Sequence, residues 1–250
     1  MVMMLDLLKS HVSVRKYKEE PISDETFFEL LEAAQHAASS HFVQAYSVIR
    51  VKDREKQVKL GELSKNKQQF ESAALPLIFC ADLKRLEKAV TLHGKPFEGS
   101  GADSLLVAVI DTALFAQNFV IAAESKGYGI CYIGGVRNNP QAISELLHLP
   151  DYVIPLFGLT VGVPAESNEV KPRLPLEAIL HEDSYDEEKY DHLLPEYDEQ
   201  MGAYYASRTA NKKDAAWTSG MASFLSEPRR AYMFDFLQSK GFIKNNGKKD

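Results

Sequence analysis

The chain has 250 residues, 45% of them hydrophobic and 26% charged, and a formal net charge of −6. This balance is typical of a soluble globular protein, and the acidic surplus argues against a broad nucleic-acid-binding surface. The most apolar stretch, residues 105–123, is interrupted by one acid and two amides, so we expect no membrane span.

Cysteine and histidine usage bears on the compartment and on metal binding. Cys80 and Cys131 each lie in an apolar run, and the first ten residues lack the apolar core of a secretory signal. We therefore expect a cytoplasmic protein with buried free thiols. The seven histidines are scattered and no spacing such as HExxH or CxxC occurs, so no metal site is predicted.

Residues 11–17, HVSVRKY, alternate polar and apolar side chains near the start of the chain. In an extended segment, His11, Ser13 and Arg15 would share one face while the valines between them are buried on the other. That face would present a donor, a hydroxyl and a cation over roughly 13 Å, a reach that suits an elongated anionic ligand. The alternative is an ordinary half-exposed strand or turn.

The next elements follow from hydrophobic periodicity. Residues 21–37 predict a helix, because Ser23 can cap it and apolar side chains recur at helical spacing. Residues 45–51 predict a strand from their β-branched alternation, and the charged residues 52–74 predict one or two surface helices. The continuous apolar run at 75–83 predicts a central strand.

A flexible loop is predicted at residues 94–101, and a long helix at 103–125 follows it. That helix is apolar almost all the way round, so we expect it to be buried in a core or at an interface. A short strand follows near residue 130, then a helix at 140–150, and then a strand pair or one long strand at 152–164.

The character of the chain changes after residue 180. Residues 182–199 hold nine acids against one lysine, which predicts a solvated excursion. Helical spacing returns at 196–208 and again at 228–242. Strands separated by helices indicate an α+β or α/β core with a C-terminal extension that can reach a partner.

Two loop segments carry further candidate ligand-binding groups. Ser39, Ser40 and Gln44 follow the first helix, where loop hydroxyls and amides can meet a ligand. In KPRLP, two prolines fix the backbone around Lys171 and Arg173, and rigidly presented cations suit a phosphate. For this second segment the alternative is an ordinary exposed loop.

The stretch from Tyr132 to Gly135 contains two successive glycines. Their missing side chains would let a planar ring approach the backbone, although a plain turn is the alternative. A Rossmann fingerprint is absent, because Tyr132 occupies its third glycine position. No nucleophile–base arrangement is evident elsewhere, so the sequence favours a site that holds a cofactor and uses its chemistry.

These groups, in this order, resemble the FMN-dependent nitroreductase family, in the branch of NADPH-linked nitro and flavin reductases with a C-terminal extension. The resemblance implies an α+β fold with a mixed sheet flanked by helices, in an intertwined homodimer. It implies an FMN-binding core at 1–180 and an extension at 181–250 that belongs to the same domain. The matching stretches cover nearly the whole chain and are HVSVRKYKEEPIS, ASSHFVQAYSVIRV, FCADL, DTALFAQNFVIAAESKGYGICYIGGVRNNP, LPDYVIPLFGLTVGVPA, KPRLP, YDEQMGAYYASR and a following Trp217.

The resemblance also implies a noncovalent FMN at the subunit boundary. His11 and Ser13 would contact its ribityl chain or phosphate, and Arg15 would lie near its N1/O2 edge. Other contacts would come from the loop of the second subunit that begins at Ser39, from the glycine stretch along the ring, and from two cations on the phosphate. This remaining set is Ser39, Ser40, His41, Gln44, Lys67, Tyr132, Ile133, Gly134, Gly135, Lys171 and Arg173.

Two positions depart from the family pattern. Lys67, with Gln68 beside it, stands where the family usually carries a glutamine that contacts the flavin. His41 stands where the family often carries a serine.

The implied activity is a ping-pong oxidoreduction in which NAD(P)H, preferably NADPH, reduces FMN. The FMN would then reduce small-molecule acceptors: nitroaromatics, quinones, azo compounds or free flavin. The alternative is a non-catalytic flavin-binding carrier or redox sensor. In this branch a basic residue after the YY helix binds the 2′-phosphate of NADPH, which points to Arg208, with Lys212 and Lys213 close by. The alternative for these cations is a favourable helix end.

Overall fold

A sheet at the centre of the fold contains four strands: β1 (Tyr46–Arg50), β2 (Leu75–Asp82), β3 (Gly129–Ile133) and β4 (Val153–Gly162). Their order across the sheet is β1-β2-β4-β3, and each pair of neighbours is antiparallel. The computed structural model from which these elements are taken describes residues 3–207 and 216–244. Within those ranges the parallel pairing is confined to an isolated bridge between Ser13 and Ile130. The sheet was predicted to be mixed. The four strands are antiparallel, and this bridge is the parallel pairing among the described residues.

Helices cover both faces of the sheet and build the C-terminal part of the chain, which confirms the α+β class. They are α1 (Met4–Lys9), α2 (Asp24–Gln35), α3 (Arg54–Ser64), α4 (Lys67–Ser72), α5 (Lys84–Leu92), α6 (Ala102–Ser125), α7 (Pro140–Leu146), α8 (Tyr190–Ser207), α9 (Trp217–Leu225) and α10 (Met233–Ser239).

The predicted central strand is β2, and all of its residues are buried. Its side chains alternate between two hydrophobic clusters, as the twofold repeat of a strand requires. Leu77 and Phe79 pack with residues of α2 and α6, whereas Ile78 and Cys80 pack with residues of α3, α4 and α7. The apolar run at 152–164 forms the single long strand β4 and not a strand pair.

The predicted first helix is α2, and its capping residue is confirmed. The backbone N–H of Thr26 donates to Ser23 Oγ over 3.1 Å, which satisfies one of the free amides of the first turn. Phe27, Leu30 and Ala34 on one side of α2 are buried in the core.

Helix α6 packs one side against α2 and the sheet, as expected for an apolar helix. Its opposite side carries Leu106, Ile110 and Leu114 at intervals of four residues, and they are 59%, 54% and 42% exposed. We call this set the apolar stripe of α6. The helix is long and apolar enough to cross a membrane by length and composition alone, and it packs against α2 and three strands of the sheet.

The chain forms two compact units, residues 1–168 with 232–250, and residues 169–231. In the second unit α8 begins at Tyr190, so the predicted solvated excursion is wrong from that residue onward. The physical reason is an apolar set at helical spacing, Leu193, Tyr197 and Met201, which is buried in spite of the acids around it. The assignment of 1–180 and 181–250 to one domain stays a prediction.

Three helices, α5, α9 and α10, differ from the sequence predictions. Helices α5 and α9 have no counterpart among them, and α10 is shorter than the predicted helix at 228–242. The helix begins five residues later than predicted, and its C-terminal end before Gly241 follows from the left-handed φ of 76° at that glycine.

Candidate functional site

The segment that contains His11, Ser13 and Arg15 is extended and runs beside β3. The backbone N–H of Val14 donates to the carbonyl of Ile130 over 2.8 Å, next to the bridge between Ser13 and Ile130. Val14 is buried, whereas Arg15 is exposed and the side chains of His11 and Ser13 are half-buried. The alternation predicted for this segment therefore holds around Val14, and it leaves a polar edge next to β3.

Glu124, near the end of α6, orients His11. The ring Nδ1 lies 2.6 Å from Glu124 Oε1, and the carboxylate side chain is only 14% exposed. Because Nδ1–H donates to the carboxylate, Nε2 is the nitrogen that can face a ligand. Glu124 was not singled out from the sequence, since a single acid near a helix end is usually solvated.

Glu166 and Asn168 hold the backbone of the same segment. Glu166 Oε1 accepts hydrogen bonds from the backbone N–H of Arg15 over 2.9 Å and from Asn168 Nδ2 over 3.2 Å. Asn168 Nδ2 also donates to the carbonyl of Ser13 over 3.1 Å. Burial opposes ionisation of Glu166, but these hydrogen bonds lower its pKa below the usual value. No sequence signal pointed to either residue.

A short 3₁₀ turn at Gly134–Asn138 follows β3 and packs against β4 and α3. A Cβ on Gly135 would collide with the carbonyl oxygen of Ser64, so glycine is required there by the fold itself. A Cβ on Gly134 would lie 3.5 Å from Arg137 Nη2, an ordinary contact distance. The packing inside the chain therefore requires glycine at position 135 and does not require it at position 134.

Three more of the predicted residues lie close to this turn. Lys67 begins α4, is exposed, and has its Nζ 3.8 Å from Glu71 Oε1. Tyr132 is 38% exposed and packs edge-on against Phe157. The side chain of Ile133 is buried in the core, so only its backbone can reach a ligand.

The loop at residues 39–45 leads into β1, which lies at the opposite edge of the sheet from β3. Its contacts are to Asp111 of α6, whose Oδ2 accepts from Ser39 Oγ and whose Oδ1 accepts from the backbone N–H of Ser40. His41 is exposed, and the side chain of Gln44 bonds back to the carbonyl of Phe42. β1 and β3 are three strand spacings apart, about 14 Å, and the segment that contains His11 lies beyond β3, so one chain keeps this loop still farther from the polar edge.

Lys171 and Arg173 belong to the second unit, and both are exposed. Tyr197 of α8 donates a hydrogen bond to the carbonyl of Pro172 between them, over 2.9 Å. Lys171 Nζ lies 5.4 Å from the ring centre of Tyr205. Burial raises the pKa of Tyr197, and the two cations oppose that shift. The rigid presentation predicted from the prolines is thus reinforced by α8.

The residues predicted to bind NADPH, Arg208, Lys212 and Lys213, lie outside the described residues. Across the ranges 3–207 and 216–244, no group of three or more His, Cys, Asp or Glu side chains is arranged to hold a metal ion.

Comparison with known proteins decides the family. The model of the nitroreductase family matches residues 8–163, and the model of the nitroreductase family C-terminal domain matches residues 171–245. The chain belongs to the nitroreductase family. The resemblance identified from the sequence motifs is therefore confirmed.

Relatives of this nitroreductase span its whole length. It is 58% identical to a Cr(VI) reductase of Pseudomonas sp. (strain G-1), over 96% of this chain and 99% of that protein. It is 38% identical to the FMN reductase (NADPH) of Bacillus subtilis, over 96% and 98% of the two chains. Among solved structures, NfrA1 of B. megaterium superimposes with a TM-score of 0.93 at 42% identity, over 96% of this chain and 99% of that one.

The two glycines give a matched pair of variants. We expect Gly135→Ala to lower the free energy of unfolding by about 1–3 kcal/mol, because a methyl group must displace the backbone of Ser64. Gly134→Ala should change it by less than about 0.5 kcal/mol but weaken FMN binding, if the ring lies on this turn as the family resemblance implies. Urea unfolding of the flavin-free protein and fluorescence titration with FMN measure the two quantities. If Gly134→Ala bound FMN with unchanged affinity, the turn at Gly134–Asn138 would not be part of the flavin site.

Proposed function

We propose that this nitroreductase is an FMN-dependent oxidoreductase that uses NADPH to reduce small-molecule acceptors by a ping-pong mechanism. The observation that carries the proposal is the polar edge beside β3. It places His11, Ser13 and Arg15 beside β3, and the end of β3 leads into the turn that begins at Gly134, where an added Cβ would meet only an ordinary contact. FMN, when bound, supplies a ring nitrogen that accepts a hydride and passes on its electrons.

The residues along this edge fit an elongated anionic group with a planar ring. Arg15 carries a fixed, exposed positive charge, and a cation near the N1/O2 edge favours the anionic reduced ring. His11 and Ser13 offer a ring nitrogen and a hydroxyl toward the ribityl chain or phosphate. In the second unit, Lys171 and Arg173 are two exposed cations, and we propose from the family resemblance that they bind a phosphate.

The described residues at the turn supply the remaining contacts that we propose. The backbone of Ile133 and Gly134 offers amides to the ring, and Tyr132 borders it. Lys67 is exposed at the start of α4 and can donate to the ring edge, where the family usually has a glutamine.

We propose a homodimer, and the distance between the two halves of the proposed site supports it. Asp111 holds the loop at 39–45 and Glu124 holds His11, and these carboxylates are roughly 20 Å apart along α6. One chain therefore keeps the loop away from the polar edge, whereas the loop of a second copy can approach it. The apolar stripe of α6 supports such a partner, because exposed apolar residues in a row favour burial at an interface.

The acceptors that we propose are flat, electron-poor molecules: nitroaromatics, quinones, azo compounds and free flavin. Chromate is a second candidate acceptor, because the relative with 58% identity is named a Cr(VI) reductase. We also propose a cytoplasmic location. Burial raises the pKa of both free thiols, Cys80 and Cys131, and unpaired cysteines suit a reducing compartment.

The purified protein tests the proposal directly. We expect it to carry one FMN per chain, to bleach on anaerobic addition of NADPH, and to recover its yellow colour when p-benzoquinone or chromate is added. Absorbance at the flavin maximum follows each step. A yellow protein that does not bleach would favour the flavin-binding carrier or sensor, and a colourless protein that takes up no added FMN would contradict the proposed function altogether.

The role of Arg15 can be tested against its neighbour Lys16, which is also exposed but is not among the proposed site residues. Arg15→Ala should cost about 1.5–3 kcal/mol of FMN binding and make the midpoint potential more negative, because a charge-assisted contact to the reduced ring is lost. Lys16→Ala should change neither quantity. If the two substitutions changed the FMN affinity and the midpoint potential equally, only the net charge would matter. Arg15 would then not be a contact residue of the proposed site.

The preference for NADPH is proposed to depend on Arg208. Arg208→Ala should raise the Michaelis constant for NADPH about tenfold to a hundredfold, because the guanidinium fork suits the 2′-phosphate. The kinetics with NADH, which lacks that phosphate, should hardly change. Steady-state rates with both nucleotides, measured beside Lys212→Ala and Lys213→Ala, decide the matter. If Arg208→Ala changed the Michaelis constants for NADPH and NADH equally, or changed neither, Arg208 would be an ordinary helix-end cation.

A further inference from the structure

The loop at residues 39–45 has an unusual backbone conformation. His41, Phe42 and Gln44 have φ angles of 47°, 58° and 51°, in the left-handed region that favours glycine. None of the three is glycine, so their conformations are strained and must be maintained by the surroundings. Strain of this kind collects at functional sites, and here it accompanies the exposure of Phe42, which is 77% accessible.

One buried carboxylate maintains this shape. Asp111 is fully buried in the middle of the apolar helix α6. Its Oδ2 accepts hydrogen bonds from Ser39 Oγ over 2.7 Å and from the backbone N–H of Ala45 over 3.1 Å. Its Oδ1 accepts from the backbone N–H of Ser40, also over 3.1 Å. Asp111 therefore binds both ends of the loop and leaves its tip free to project.

Two further contacts complete the frame around the loop. Ser39 Oγ accepts a hydrogen bond from the backbone N–H of Gln44 over 2.7 Å, so the hydroxyl links Asp111 to the second half of the loop. Arg85 Nη1 donates to the carbonyl of Gln44 over 2.9 Å. The carboxylate is the one member of this frame that contacts the loop at three points.

We propose that Asp111 is a positioning residue for the flavin site of the second subunit. By holding the loop at 39–45 in its strained shape, it presents Ser39 and Ser40 to the FMN that the other copy binds. This inference rests on the proposed function and on the homodimer. It adds a role for a residue that touches neither cofactor nor substrate.

The chemistry at this position requires a carboxylate. Each of its oxygens accepts, and three donors converge on them. Asparagine has the same size but offers only one oxygen, so its NH₂ group would face donors at Ser39 and Ala45 or leave Ser40 unpaired. An unsatisfied buried donor is costly, and the loop can escape this cost by relaxing toward unstrained φ angles.

The experiment compares Asp111→Asn with Thr112→Val in the FMN-loaded protein. Thr112 is the next residue on α6 and is equally buried, but its hydroxyl donates to the carbonyl of Ala108 in its own helix and not to the loop. We expect Asp111→Asn to raise the FMN dissociation constant about tenfold or more and to shift the midpoint potential, with the dimer mass unchanged by light scattering. Thr112→Val should lose about as much thermal stability as Asp111→Asn. Its FMN dissociation constant should nevertheless stay within about twofold of the wild-type value.

The outcomes separate this inference from the proposed function. A wild type that binds no FMN would overturn the proposed function. The positioning role alone would be overturned if the wild type binds FMN and is active, but Asp111→Asn has the same FMN affinity and midpoint potential as Thr112→Val.

A measurement on the unmodified chain keeps the inference testable if Asp111→Asn fails to fold. Amide hydrogen exchange in FMN-free wild type should show Ser40, Gln44 and Ala45 already protected, because Asp111 and Ser39 bind them before any ligand arrives. Exchange at the rate of an unfolded chain at these amides would overturn the positioning role.

Discussion

A carboxylate in the middle of an apolar helix must find hydrogen-bond donors, and much of this nitroreductase follows from that requirement. Asp111 finds its donors in the loop before β1, and Glu124 at the end of the same helix binds His11. Helix α6 therefore sets the places of two polar segments that are 28 residues apart in sequence, counting from His11 to Ser39. The same helix fills the core with its apolar side, so these segments are tied to the most buried part of the fold.

The geometry of α6 also keeps the two halves of the proposed site apart within a single copy. The helix is rigid, and its two carboxylates keep their polar partners roughly 20 Å apart. The sheet adds to this separation, since β1 and β3 are its opposite edges. In the homodimer that we propose, a second chain brings its loop at residues 39–45 to the polar edge beside β3 of the first chain, and the apolar stripe of α6 gives that chain a surface to cover.

The charges at the proposed site are local exceptions in an acidic protein. The chain carries a net charge of −6, yet Arg15 in the first unit is an exposed cation. Lys171 and Arg173, in the second unit, are exposed as well. Glu166 is bonded to the backbone of Arg15 and not to its guanidinium, so it fixes the segment without an ion pair to that side chain. An anionic cofactor would then meet positive charge that the fold has not neutralised among these described contacts.

The sequence alone determined the family, the α+β class, the capped helix at Ser23, the long apolar helix and the buried central strand, because periodicity and short motifs are local properties of the chain. It also singled out His11, Ser13, Arg15 and the glycine turn. Only the tertiary structure assigned Gly135 to packing against Ser64, paired His11 with Glu124, and gave Asp111 its three donors from a loop about 70 residues away. Asp111 stood in the sequence as a polar residue within an apolar run, which signals a buried group that needs partners. The partners themselves come from distant segments, and hydrogen bonds between segments far apart in sequence exist only once the chain has folded around them.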